Sequence, residues 1–154
     1  MPGVVPRIRY EDFVACAPAV AATLRDLSKT SGEAGLDKSL IELVKVRASQ
    51  INGCVFCVRF HLNFARKLKV PLAKLDLVAV WREAAVFDAR ERAALAWTET
   101  LTRLGPESAS DADYTALRAE FSESEAVFLT VAIGVINQWN RIGVALRFAP
   151  PTAA

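Results

Sequence analysis

The sequence predicts an all-α fold in a single domain, and three observations lead there. No alternation of apolar and polar residues lasts more than a few positions, whereas apolar spacings of three and four recur nearly everywhere after Glu11. The periodic stretches are punctuated by helix signals such as Asp37, Asn52-Gly53, Pro71 and Asp88-Ala89-Arg90-Glu91. A chain of 154 residues is long enough to withdraw roughly 68–70% of its unfolded surface from water without disulfide staples or a structural metal.

The elements follow in order. A first helix is expected from about Ala17 to Lys29, closed by Ser31-Gly32, with Val20, Leu24 and Leu27 as its inner stripe. Asp37 can cap a second helix that carries Leu40, Ile41, Leu43, Val44 and Val46 and stops near Ile51-Asn52-Gly53. A third helix begins at about Cys54 and runs to about Leu68, and Pro71 opens a fourth that continues through Trp81. Asp88 and Glu91 have capping-box spacing ahead of Ala93, Leu95, Ala96 and Leu101, which gives a fifth. A loop from Gly105-Pro106 to Asp113 precedes a short helix over Tyr114 to Phe121. The last helix, about Ser124 to Arg147, is apolar on more than one face and is expected to be buried on most sides. The tail from Pro150 is expected to fray.

Composition narrows the function classes. The 19 basic and 17 acidic side chains are interspersed and leave a formal charge of +2, so no basic patch points to nucleic acid as a partner. The longest mostly apolar run, Ala126 to Asn137, falls short of the ~18–20 residues of a membrane span. Met1 to Arg9 holds no uninterrupted apolar stretch of the kind a secretory leader needs, so a soluble cytoplasmic protein is expected. An apolar share of 53% exceeds the usual ~45–50%, and the surplus is read as surface buried in a homo-oligomer.

The chemistry concentrates in one place. Cys54, Cys57 and His61, the only histidine, are spaced i, i+3 and i+7 and share one helix stripe. Two thiols and an imidazole make either a redox site or a metal site, and a close C-x-x-C pair in a reducing compartment favours redox chemistry. Zinc held by Cys54, Cys57, His61 and Glu42 is the competing reading, although three ligands on one helix is an uncommon zinc geometry. A reactive thiol needs its pKa brought down from about 8.5. The helix start, His61, and Glu42 folded back from the preceding helix are three devices that could do so. Cys16 reads as a small buried apolar residue. Trp81, Trp97 and Trp139 read as core or interface, Asn137 and Asn140 as groups that cap a neighbouring helix or line the site, and Tyr10 and Arg82 as residues that could border a pocket.

Glu42, eleven residues, Cys54, two residues, Cys57, three residues and His61 resemble the E-x11-C-x-x-C-x-x-x-H pattern of the alkylhydroperoxidase D (AhpD) core in the carboxymuconolactone decarboxylase family. The stretch from Glu42 to Ala65, Trp81-Arg82-Glu83-Ala84 and Asn137-Gln138-Trp139-Asn140-Arg141 are similar to that family as well. The resemblance implies an AhpD-like multi-helix bundle that assembles into trimers or hexamers and reduces hydroperoxides without a bound cofactor. It also implies that Cys57 attacks the peroxide, Cys54 resolves the product as a Cys54–Cys57 disulfide, and Glu42 and His61 relay protons. The implied reductant is a partner's dithiol, of lipoyl or thioredoxin type. Helix-end position alone would instead favour Cys54 as the more acidic thiol. One departure stands out, because Phe56 occupies the position where the family's characterised peroxidases carry a histidine. A general disulfide oxidoreductase or a redox-sensing oligomer is the alternative expectation.

Overall fold

The computed structural model describes residues 5–153. Met1 to Val4, which carry part of the no-leader expectation, lie outside the described residues. Among the described residues every regular element is helical: α1 (Tyr10–Cys16), α2 (Pro18–Lys29), α3 (Lys38–Ile51), α4 (Val55–Lys67), α5 (Leu72–Leu77), α6 (Ala89–Thr102), α7 (Asp111–Arg118) and α8 (Glu123–Leu146). Short 3-10 segments follow α2 at Thr30–Ala34 and α5 at Val78–Glu83. No helix among them is long and apolar enough to cross a membrane.

Helix α3 is the axis of the bundle, and its sequence explains why. Apolar residues occupy two opposite sides of it, so it must be covered on both. On one side Leu40, Ile41 and Val44 join Ala94 and Trp97 of α6 and Leu129 and Ile133 of α8. On the other, Leu43 and Val46 meet Ala65 of α4, Val78, Trp81 and Leu95. Leu43, Leu129 and Ile133 have no exposed surface, and each such side chain contributes roughly 1.5–3 kcal/mol of burial. A third, smaller cluster of Ala48, Cys54, Cys57 and Ile136, flanked by Phe56 and Trp139, forms where the α3–α4 turn meets α8.

Caps read from the sequence are formed. Asp37 accepts the Leu40 N–H at 3.2 Å, and Asp88 with Glu91 closes a full capping box on α6. Further boxes at Ser110–Asp113 and Ser122–Glu125 start α7 and α8. The Ser110 box begins α7 at Asp111, three residues before the expected Tyr114.

Several expectations are corrected. The chain is already helical over Tyr10–Cys16, and Pro18, at the first turn of α2, separates α1 from α2. Val20 and Leu27 are exposed, while Ala21 is buried and Leu24 and Ser28 are half-buried, so the inner stripe of α2 lies one residue off the expected one. Pro71 is the N-cap of α5, and the segment expected to run as one helix to Trp81 turns 3-10 at Val78, with Val80 non-helical at φ −120°, ψ 28°. Helix α8 keeps one side open, since Val127 and Val144 are about half exposed; α3 is the element buried all round. The C-terminal tail folds back on the bundle: Phe148 is buried and the Thr152 carbonyl accepts a hydrogen bond from Asn63 Nδ2 at 2.8 Å. Cys16 is exposed because Tyr10, Phe13 and Ala17 form the inward stripe of its segment and Cys16 lies off it.

Candidate active site

The site is built on the α3–α4 turn. Asn52 ends α3, and Gly53 follows with φ +67°, a backbone conformation that favours glycine. The turn is pinned from α8. Asn52 Nδ2 donates to the side-chain oxygens of both Asn137 and Asn140, each at 2.9 Å. Asn140 Nδ2 donates to Ser49 Oγ at 2.9 Å, and Asn137 Nδ2 to Thr102 Oγ1 at 3.1 Å. The two asparagines therefore secure the end of the neighbouring helix, the first of the two roles read for them. Each net bond contributes about 0.5–1.5 kcal/mol, and an orphaned buried amide would cost more.

Out of this turn comes the cysteine pair. The Cys54 N–H donates to Ser49 O at 3.0 Å, which sets Cys54 as the N-cap of α4, and its sulfur accepts the Cys57 N–H at 3.3 Å. Cys54 and Cys57 are joined as a disulfide with Cα atoms 5.3 Å apart, an ordinary span for such a bond. Both are buried, at 1% and 4% exposure. Gly143 of α8 sits against them: a Cβ there would lie 2.9 Å from Cys54 Sγ and 3.6 Å from Cys57 Sγ. A side chain at 143 would drive α8 off the pair. The clash is expected to cost about 1–3 kcal/mol and alanine to recover roughly 1 kcal/mol in a helix interior, so Gly143→Ala should destabilise the oxidised protein by up to about 2 kcal/mol. Urea unfolding checks this, and a raised midpoint would show that the contact relaxes freely.

Beside the cysteines lies a buried acid–base group. Glu42 of α3 is 4% exposed; its Oε2 contacts His61 Nδ1 at 2.7 Å and its Oε1 accepts from Lys45 Nζ at 3.1 Å. The fold-back from the preceding helix that the spacing suggested is present. Burial pushes the Glu42 carboxyl up, but His61 and Lys45 together outweigh it and hold the group below the usual carboxylate range. For His61 burial is the largest influence and Lys45 adds to it, so the imidazole is pushed down in spite of Glu42. A neutral ring beside an ionised carboxylate donates through Nδ1 and keeps its Nε2 lone pair free. Lys45, one turn from Glu42, is a member of this group that the sequence reading did not single out.

Cys57, His61, Glu42 and Lys45 open on one cleft of about 260 Å3. Its walls are mostly aromatic: Tyr10 stacks on Phe56 at 4.9 Å, Phe56 on Phe60 at 6.0 Å, and Phe148 meets Phe56 edge-on at 5.5 Å. Cys54 does not line the cleft; it lies behind Cys57 against Gly143. Trp81 and Trp97 are core, as read, whereas Trp139 is half-buried and forms part of the cleft wall. Tyr10 borders the cleft and Arg82 does not: Arg82 belongs to a separate cluster around Glu99. Among the described residues no group of three His, Cys, Asp or Glu side chains could hold a metal ion.

Fold and site together define an all-helical protein with a C-x-x-C disulfide at the base of an apolar cleft, next to a buried Glu–His pair. Residues 18–100 match the model of the carboxymuconolactone decarboxylase family, and the chain belongs to that family. The matched stretch runs from α2 into α6 and holds Glu42, Cys54, Cys57 and His61. The Bacillus subtilis (strain 168) protein YdfG, itself uncharacterised, is 32% identical over 140 residues, or 91% of this chain and 93% of its own. Among solved structures, a protein of unknown function from Agrobacterium tumefaciens, ATU0492, described as a candidate antioxidant defence protein AhpD, has a TM-score of 0.88 at 38% identity, covering 96% of this chain and 99% of that one. An uncharacterised peroxidase-related protein with the alkylhydroperoxidase AhpD core, from Ralstonia eutropha JMP134, has a TM-score of 0.79 at 26% identity, covering 97% and 79%. The AhpD-like helical architecture expected from the motif is thus the fold of this chain.

Proposed function

We propose that the protein is a thiol-dependent reductase of organic hydroperoxides, with Cys57 as the attacking thiol, Cys54 as the resolving thiol, and His61 and Glu42 as proton carriers. The observation that carries this reading is the division between the two cysteines: Cys57 opens on the cleft that His61 and Glu42 line, and Cys54 is closed off behind it. Helix-end position acts first on Cys54, whose sulfur accepts the Cys57 N–H; the activation of Cys57 is therefore assigned to the acid–base group beside it. The neutral His61, one helical turn on, takes the thiol proton.

The Cys57 thiolate attacks the terminal peroxide oxygen and the O–O bond breaks. The sulfur loses two electrons to become the sulfenic acid, and the alkoxide leaves as alcohol with the proton that His61 held. Cys54 then attacks Cys57 Sγ, water departs, and the disulfide forms. A dithiol of lipoyl or thioredoxin type reduces that disulfide through a mixed-disulfide intermediate and is itself oxidised. The same reading places the protein in the cytoplasm as a single-domain homo-oligomer, trimeric or hexameric, with no resident cofactor.

Counting free thiols tests it. Reduced protein has three, Cys16 included; one equivalent of cumene hydroperoxide is expected to leave one within seconds, and Cys57→Ser to abolish disulfide formation. An unchanged count would overturn the peroxidase reading in favour of a disulfide oxidoreductase, which Phe56 in place of the family's histidine favours. Phe56 also lends its ring to the cleft wall. Phe56→His is expected to shift the relative rate from cumene hydroperoxide toward hydrogen peroxide, and an unchanged ratio would remove Phe56 from substrate choice.

A further inference from the structure

The charge around the cleft is lopsided. Arg25, Lys29 and Lys45 line it against a single carboxylate, Glu42. Lys45 and Glu42 neutralise each other inside the group already described. Arg25 pairs with no carboxylate among the described residues. Lys29 reaches Asp26, but with both side chains more than 70% exposed, a pair of that kind is worth little and yields readily to a better partner. Two cations one helical turn apart on α2 therefore stand at the cleft without a buried counter-charge.

Arg25 is linked toward the thiol by an aromatic relay. Arg25 Nη2 donates to the Tyr10 hydroxyl at 2.8 Å; the Tyr10 ring stacks on Phe56, and Phe56 directly precedes Cys57. That bond uses one of the five guanidinium donors, and the others remain able to grip a planar anion in bidentate fashion. Phe56, Ile136, Trp139 and Phe148 give the same cleft an apolar wall. A volume of about 260 Å3 lies just under the ~300–1,000 Å3 of ordinary small-molecule pockets, which suits a compact aryl or alkyl group.

We infer that the cleft selects compact aryl or alkyl hydroperoxides that carry a carboxylate at the end remote from the peroxide, with Arg25, supported by Lys29, binding that carboxylate. This rests on the peroxidase reading of the same cleft. The substrate's carboxylate takes no part in the electron transfer; it orients the molecule so that its peroxide end reaches Cys57.

The test compares the para-carboxylate of cumene hydroperoxide with its methyl ester, as second-order rates of thiol oxidation in the full-length reduced protein. The acid is expected to be favoured about tenfold, a typical return for a charge-assisted hydrogen bond, and the preference should fall with added salt. Arg25→Gln is expected to bring the acid-to-ester ratio near one and Arg25→Glu to invert it. In parallel, calorimetry measures binding of the product alcohol bearing the carboxylate against its ester. If both peroxides react at equal rates, the carboxylate site is overturned and the peroxidase reading stands. If neither reacts while the acid alcohol binds in an Arg25-dependent way, the peroxidase reading fails and the carboxylate site stands.

Discussion

Glu42→Gln is expected to slow thiol oxidation by organic hydroperoxide about a hundred- to ten-thousand-fold, the usual span for loss of a positioned acid–base group. The substitution keeps an oxygen within reach of His61 Nδ1 but removes the charge that makes His61 a useful base. Glu42 is the one influence that raises the His61 pKa, against burial and Lys45. With Gln in its place the imidazole becomes a still weaker base, and Lys45, whose side chain is 13% exposed, loses its counter-ion. Stopped-flow measurement against pH separates a chemical role from a packing role. His61 works as a base only when neutral, and its pKa lies below the ordinary 6.5, so the wild-type rate should be level near pH 7 and decline on acidification below about 6.5. In Glu42→Gln the residual rate should hold to lower pH. A variant within threefold of wild type, with an unshifted profile, would remove Glu42 from the relay.

The same histidine carries a stability signature. Because folding depresses its pKa, the unfolded chain binds the proton more readily, and the contribution of neutral His61 is complete above about pH 6.5 and eroded as the pH falls below that value.

Glu99→Ala is the substitution with the largest expected cost in stability, about 3–5 kcal/mol. Glu99 is 6% exposed and accepts hydrogen bonds from Arg47 at 2.7 Å, Trp81 Nε1 at 2.9 Å, Arg82, and Arg103 at 3.3 Å. It ties α3, α6 and the Val78–Glu83 segment together. Its removal leaves the Arg47 side chain, only 12% exposed, as an uncompensated charge beside an unsatisfied indole N–H. Arg82 and Arg103 are more than half exposed and stay hydrated. Urea denaturation should show the loss as a lowered midpoint, and a double variant that makes both Arg47 and Glu99 apolar should lose less than Glu99→Ala alone. A single-variant loss below about 1 kcal/mol would mean that water reaches Arg47.

Acid should reproduce part of this loss. Burial raises the Glu99 carboxyl, but the bonds from Arg82, Trp81 and Arg47 prevail and bring it from its ordinary 4.5 to about 2. A depressed carboxylate gives its stabilisation above the unfolded value and withdraws it as the pH falls through the folded one. The window for Glu99 is therefore pH 4.5 down to about 2.

Local signals were legible in the sequence wherever short-range physics decides the structure. The Asp37 and Asp88 caps, the Asn52-Gly53 stop and the capping-box start of α6 depend on groups within three or four residues of each other. The spacing of Glu42, Cys54, Cys57 and His61 was readable for a related reason. Two helices joined by a tight turn have little freedom, and the contact between His61 and Glu42 spans only 19 positions. Where the reading failed, distant segments decided. The inner stripe of α2 lies one residue from its local periodicity because docking on α8 sets it, and nothing local to Cys16 shows which side of α1 faces Phe148 and Trp139.

By itself, then, the sequence determined that the chain is helical, where most helices start, and which four side chains could share a redox site. Those properties follow from backbone hydrogen bonding, side-chain periodicity and caps, all of which act over one or two turns. Only the tertiary structure decided which cysteine faces the cleft, that Gly143 leaves room for the pair, that Glu99 gathers three arginines, and that Arg25 and Tyr10 stand at the cleft. These contacts join residues tens of positions apart, and closing such loops costs entropy that only the whole packed core offsets. No window of sequence contains that sum.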